Sequence, residues 1–597
     1  MLRQNVRDCF GYRMLKFKLQ YLYIVVVFYV LYIFIFNKVL KENEKNFYNQ
    51  ASLKNPITFL FEKKENVFAH SHKLNFPYPA DNLSYYNSTL IFNAVPSGTT
   101  TIDLNQDGFV DFCFSLPEYE NPIRCYQNNK DSTFREVTDL YGLNFVTTDL
   151  ASAIYAADFN NDGQEDLLLV KYGQHDVLIR NGNKFTKIQN DWFSNAWGAN
   201  FHDFNHDGLV DILFANYYAD LNLKQNIIPW SFKGVHNLTN GSPNVLYQNM
   251  GNGHFRKVDN FFPTIRNELT TTIGIADYDR DGQVDVFAAN DYSIDRIYKH
   301  DTSANRLIER TTSRIPIKYH GHSGMNAHFF DINNDGYLDL FVTNIVLPPL
   351  MGTSNLMWVW NPQLVRFEEK ATDLGLNKCG YAWTATEADF DNDSNSEIVV
   401  ASGFYANKDG QFNTIFNRLI DSNTPDWFPA EHPDVNLNSY SQVSFSRPCL
   451  FTKSGEKFED VGGLVFDWDI KTASRSLVTA DVNNDGLMDI IINQQGGKSI
   501  LYINKSNNKN NWAGFVFKDK FGGVIQYGIK ASVYSKDGKR LKYFEVNPAN
   551  GFKTQNDFRY IVSLGSEFND DLVLKVEYPE RKEYRFKINE YNEILFN

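Results

Sequence analysis

Asp103-Leu-Asn105-Gln-Asp107-Gly108-Phe-Val-Asp111 sets a nine-residue pattern, Asp-x-[Asp/Asn]-x-Asp-Gly-x-x-Asp, that recurs along the chain. It returns at Asp158, Asn160, Asp162, Gly163 and Asp166, and at Asp203, Asn205, Asp207, Gly208 and Asp211. The fourth copy is Asp277, Asp279, Asp281, Gly282 and Asp285, and the fifth is Asp331, Asn333, Asp335, Gly336 and Asp339. A sixth, degenerate copy has Asp389, Asp391, Asp393, Ser394 and Glu397; the seventh has Asp481, Asn483, Asp485, Gly486 and Asp489. Oxygens at positions 1, 3 and 5 converge on one hard cation when the backbone curls, glycine at position 6 permits the turn, and the carboxylate at position 9 closes the shell. The expected cofactor is calcium (Ca2+), which suits a flexible oxygen cage better than magnesium. The alternative is a set of solvated Asx-turns. An EF-hand is excluded, because position 12 is Phe114, Leu169, Phe214, Ala288, Val342, Val400 or Ile492 and never the bidentate glutamate.

Working outward, each loop runs into a short apolar stretch of strand length, such as 211–216 or 339–344. A second half follows, as in 176–185, 244–255 and 448–458: an apolar strand, a Gly/Asn turn and a strand containing Phe. Loop, strand and hairpin make a four-stranded blade, and radial stacking of blades buries the aromatic faces. The loops start 55, 45, 74, 54, 58 and 92 residues apart, so the longer intervals carry insertions, visible at 219–243 and 404–447. The predicted fold is all-β: a seven-bladed β-propeller over 85–509 and a small β-domain over 510–597.

An aromatic share of 15% favours strands, and 22% charged residues is globular rather than disordered composition. Residues 1–45 hold eight Lys/Arg against three Asp/Glu, so a net charge of −13 leaves −18 on the remainder. So acidic a body excludes nucleic acid as the expected partner. Residues 19–36 are uncharged and just long enough to span a bilayer core. Arg3, Arg7, Arg13, Lys16 and Lys18 precede them, so 1–18 is read as cytoplasmic, 19–36 as a single transmembrane signal anchor and 37–84 as a tether, with the bulk exported to a periplasm or cell surface. A cleaved signal peptide is the rival, but no small-residue cleavage site follows Phe36. Cys113, Cys125, Cys379 and Cys449 lie after the anchor and form either two bridges of undetermined pairing or buried thiols.

These repeats resemble the FG-GAP/VCBS-type calcium propellers related to integrin α-chain heads. The stretches 475–486, 501–504, 511–515, 527–531 and Asn550-Gly-Phe-Lys-Thr-Gln-Asn-Asp557 resemble the ASPIC/UnbV domain that closes the cartilage acidic protein 1 family. The resemblance covers roughly 85–597 and departs at the sixth loop. It implies extracellular calcium-binding proteins with adhesion or matrix roles, acting on a protein or glycan ligand. It carries over no catalytic residue.

No nucleotide loop, zinc-protease motif or nucleophile elbow is present. The unusual cluster is His320, His322 and His328, whose equal parity would put three imidazoles on one side of a strand. That makes an alternative: a propeller enzyme acting on a glycan or small molecule, with the histidines at a metal or catalytic site. Gly321 and Gly324 weaken the strand it needs. Trp358, Trp360 and Trp427 are candidate sugar platforms or core residues. Asn82, Asn87, Asn237 and Asn504 stand in glycosylation sequons.

Overall fold

The strands that the alternation marks assemble in the order of the chain. The computed structural model describes residues 60–64, 67–68, 98–192, 194–217, 241–291, 293–315, 323–345, 354–403, 447–466, 473–495, 498–507, 510–525, 527–566 and 572–596. The anchor at 19–36, His320, His322, Trp427, three of the sequons and most of both insertions lie outside these residues. The fold is all-β, with 52% strand and 3% helix.

Seven antiparallel four-stranded units follow one another. The first is built from Thr99–Ile102, Asp111–Ser115, Ile123–Asn128 and Phe134–Glu136. The first strands of the next five are Ala151–Ala157, Ser194–His202, Leu269–Ala276, Gly324–Phe330 and Ala382–Ala388. The seventh unit takes Ala473–Ala480, Asp489–Gln495 and Ile500–Asn504, and its fourth strand is Phe61–Lys64 from the other end of the chain. Part of the stretch read as a tether is therefore structural: Phe61–Lys64 is a sheet edge, and Phe68 packs edge-on against Phe114 and Tyr126. The short sequence FEKK has no alternation to announce a strand.

First strands touch in chain order, and the first strand of unit 7 touches that of unit 1, which closes a ring. They are wholly buried and rich in Ala, Gly, Ser and Thr because they crowd toward one axis. A Cβ on Gly198 would meet the Tyr155 hydroxyl at 2.8 Å. The apolar cores lie between units. Phe112 and Phe114 share a cluster with Val478, Ile491 and Leu501, and Tyr155 and Phe159 share one with Phe201 and Phe214. The cysteines are paired as Cys113–Cys125, across neighbouring strands of unit 1, and Cys379–Cys449, within unit 6.

A polar clamp repeats between units. Asn249 donates from Nδ2 to the carbonyl of Phe159 in the unit before and to Val210 in its own. Asn504 does the same to Phe390 and Met488. Asn504 is thus a buried clamp, and its sequon is not a surface site. Asn128 bonds Val110 and, across the closure, Val482 of unit 7 at 2.7 Å. Removing this amide strands two buried carbonyls, at about 1–3 kcal/mol. Asn128→Ala is expected to lower the denaturant midpoint accordingly, and an unchanged midpoint would show that the closure does not need the clamp.

Candidate cation-binding loops and the end they occupy

Each loop curls around its first aspartate. One oxygen of that side chain accepts the N–H of position 5 at 3.0–3.1 Å in all seven loops. The other accepts the N–H of position 6 at 2.7–2.9 Å. Position 6 is left-handed throughout, including Ser394 at φ 74°, so the sixth loop keeps the path that its sequence put in doubt. The Asp393 and Ser394 N–H groups donate to Asp389 and hold it there, which offsets the strain of a side chain at that angle.

The ninth position is the buried pivot. Asp111, Asp166, Asp211, Asp339 and Asp489 each accept the N–H of loop position 2 with one oxygen, at 2.8–3.2 Å. The other oxygen accepts an N–H from the third strand at 2.7–2.8 Å. Glu397 bonds Phe390 N–H and the Thr452 hydroxyl in the same way. Burial pushes the Asp111 and Asp166 carboxyls up to about 8 and Asp211 up to about 7, despite those bonds.

Position 4, left open in the sequence pattern, links the loops. It is left-handed in every loop, at φ 54–58°. Its side chain reaches the position-6 carbonyl of the neighbouring loop: Gln106 to Gly163, Asn161 to Gly208, Arg280 to Gly336, Asn334 to Ser394, Asn392 to Gly486. Asn484 then reaches Gly108, from the seventh loop back to the first. Four of the seven position-4 residues are asparagine, which was the available signal.

Among the described residues, acidic oxygens of the predicted ligand sets converge in two loops, the fourth and the sixth. Oxygens of Asp389, Asp391 and Glu397 lie within 4.8 Å of one another, and so do those of Asp277, Asp279 and Asp281. Where position 3 is asparagine, its Nδ2 lies 2.7–3.0 Å from the position-5 carboxylate. A half-turn of that amide would present Oδ1 to a cation instead. The donor set, carboxylate and amide oxygen, fits calcium chemistry in these loops.

A second β-structure covers the loop end. Two sheets, one of Asn511–Lys518, Tyr560–Gly565 and Tyr591–Leu595 and one of Ile529–Tyr534, Arg540–Val546, Val573–Tyr578 and Lys582–Arg585, share one apolar core. This layer reaches all seven loops. Arg559 bonds Gly108, Gly523 packs on Gly163, Tyr578 meets His206, and Lys530 pairs with Asp277. Arg540 bonds Asp335, Ser563 bonds Asn392, and Tyr591 bonds Asp481.

From this layer the segment 547–557 enters the ring. It pairs in parallel with Thr99–Thr100 through Thr554–Gln555. Gln555 takes the N–H of Ala156 and gives to its carbonyl, Asn200 reaches Ala549, and Asn547 reaches Ile275. Thr384 bonds Phe552, and Asn556 bonds Thr386 and Thr479. His328 lies beside the backbone of Asn550, and burial pushes its imidazole down to about 4, so it stays neutral at physiological pH. Among the described residues its ring nitrogens make no well-formed hydrogen bond beyond the approach to Asn550, and it stands in no metal-ligand group. Trp358 and Trp360 are core residues and not exposed platforms.

The family model described as FG-GAP-like repeat matches residues 103–169, 158–214, 235–288, 277–342 and 331–400. The chain thus carries FG-GAP-like repeats, and four of the five matched windows begin at an acidic loop. No curated protein matches the chain. Among solved structures, two crystals of BBS1N in complex with ARL6DN are similar at TM-scores of 0.37 and 0.39 with 8% and 7% identity. They cover 70% and 76% of this chain and 93% and 99% of their own. Likeness at that level carries nothing about ligand or partner.

Arg559 is the joint between layer and ring, buried and bonded to Gly108, Asp481, Asn484 and Asp557. Arg559→Ala leaves the buried Asp557 carboxylate uncompensated, at about 3–5 kcal/mol. Its denaturant midpoint is expected to fall steeply, with Arg559→Lys recovering only part because the planar fork is lost. Equal midpoints for wild type and Arg559→Ala would refute this role.

Proposed function

We propose that the seven units are the blades of a calcium-binding β-propeller, capped by an ASPIC/UnbV-type domain and held to a membrane by residues 19–36. On this reading the exported body is a binding or adhesion module for a protein or glycan ligand. The observation that carries it is the common path of the loops, each presenting three or four carboxylates beneath a layer that touches all of them. Calcium would supply the positive charge that such loops lack and so fix the cap to the ring. Two paired cysteine bridges support an oxidising, extracytoplasmic setting. With the loop end covered and the ring filled, ligand contact falls to the opposite end, where the insertions at 219–243 and 404–447 join second to third strands. No observation favours the enzyme alternative, since His328 is enclosed behind the inserted segment.

Chelation is expected to lower the melting temperature, calcium to restore it and magnesium to restore it poorly. A site bound at a hundredfold excess over its Kd contributes about 2.7 kcal/mol. Asp335→Ala and Asp391→Ala should each remove part of the response. A melting curve indifferent to chelator and calcium alike would overturn the calcium reading.

The pH dependence of the chelated chain has a definite sign. Asp111, Asp166 and Asp211 are raised on folding above the unfolded carboxylate value, so the folded state binds more protons between about pH 4 and 8. Stability is then full below the unfolded value and is lost as pH rises through the folded one. Calcium-free protein should therefore melt at progressively lower temperature from pH 4 to 8, and saturating calcium should flatten that slope. A calcium-free chain that gains stability over this range would contradict the assignment.

A further inference from the structure

The fourth loop departs from the other six in charge, though not in path. Its four loop carboxylates are Asp277, Asp279, Asp281 and Asp285, and two ammonium groups stand among them. Lys299 is bonded to Asp281 and lies 3.4 Å from Asp279. Lys530, from the covering layer, lies 2.5 Å from Asp277, and both partners are buried. Arg314 approaches Asp279 at 4.0 Å.

Sequence position explains why only this loop is so filled. In units 1, 2, 3, 5 and 7 the residue just before the third-strand donor to position 9 is Gln127, Ile179, Gln248, Val359 or Ile503. In unit 4 it is Lys299, directly across from Asp285 in the sheet. Among the described residues, the other lysine paired directly with a loop carboxylate is Lys130 at Asp107, whose side chain is half exposed and free to leave, while Lys542 acts on Asp331 without an ion pair.

We propose that the fourth loop takes no calcium, and that the Lys299 and Lys530 ammonium groups stand in for it. This inference rests on the calcium reading of the other loops. A calcium ion needs the oxygens of Asp277, Asp279 and Asp281 at about 2.3–2.6 Å, and those are the oxygens the lysines already engage. Binding would either set two cationic groups against the ion or leave the buried Lys530 ammonium without its carboxylate partner, and both are unfavourable. Asp285 accepts no hydrogen bond from the backbone, unlike its counterparts, and Lys299 is the cation that lowers its burden of like charge. The fourth loop is thus a permanent ionic joint between the ring and the covering layer, insensitive to calcium.

The experiment is the calcium stoichiometry of the full chain by equilibrium dialysis, with loop-by-loop anomalous scattering from crystals grown in calcium. Wild type is expected to show no anomalous density at the fourth loop, and Asp279→Asn is expected to lose no ion, whereas Asp335→Asn loses one. Lys299→Met with Lys530→Met should gain one ion per chain, and Lys130→Met should gain none. Density at the fourth loop of wild type, or an ion lost in Asp279→Asn, overturns the inference while leaving the calcium reading intact. Wild type that binds no calcium at all overturns both. Should the double variant fail to fold, the Asp279→Asn comparison in the wild-type background decides alone.

Discussion

Where the ninth loop residue meets the third strand, one buried carboxylate holds three pieces of chain. Asp489, fully enclosed, accepts from Val482 in its own loop and from Asn504 on the third strand, while its backbone begins the second strand. A buried acid so placed fixes the loop, the strand order and the hairpin register together, because each oxygen must find its donor or leave a costly orphan. Asn504 then carries the constraint into the preceding unit through Phe390. Repeated around the ring and closed by Asn128 on Val482, these local bonds define a circle rather than a stack.

The same logic governs the inside of the ring. First strands crowded with Thr, Ser and Asn present hydroxyl and amide groups toward an axis too narrow for bulky side chains. Left dry and unpaired, such groups would weigh against closure. The segment 547–557 answers them with its own carbonyls and amides, and Gln555 imitates a strand by both donating to and accepting from Ala156. The covering layer is thereby bound at its rim through the loops and at its centre through this segment. That double attachment is why one Arg559 can bridge the first and seventh loops at once.

The places and turns of the loops were legible in sequence, because a strict spacing of acids and glycine has few other causes, whereas the reach of position 4 to the neighbouring loop was not. The hairpins after them, such as Cys449–Ser454 with Lys457–Asp460, were legible for the same reason: alternation and a turn residue act locally. What escaped acts at long range. Nothing in FEKK at 61–64 says that it completes a sheet begun near residue 473, and nothing local in 550–557 says that it enters the ring. Lys530 is likewise invisible from the fourth loop, 253 residues away. Of the histidine trio, only His328 lies among the described residues; it is buried beside Asn550, and parity alone does not bring ligands to a common ion.

Covering the loop end has a consequence for how a ligand can be read. Integrin-like reasoning would look for recognition wherever the acidic loops lie, yet here a domain of the same chain contacts every loop, with Asp162, Asp207, Asp281, Asp335, Asp393 and Asp485 left exposed at its margin. Under the calcium proposal, a cation at that end would act first on the joint between ring and cover. The opposite end receives the connections between second and third strands, and these are the connections whose length varies: short in unit 2, between Gly173 and Asp176, and long after Asn216 and Ser402. Length that varies at one end while the other end is held by seven near-identical loops separates the two duties. Stability is assigned to the loops, and specificity is free to change where no ring bond depends on it.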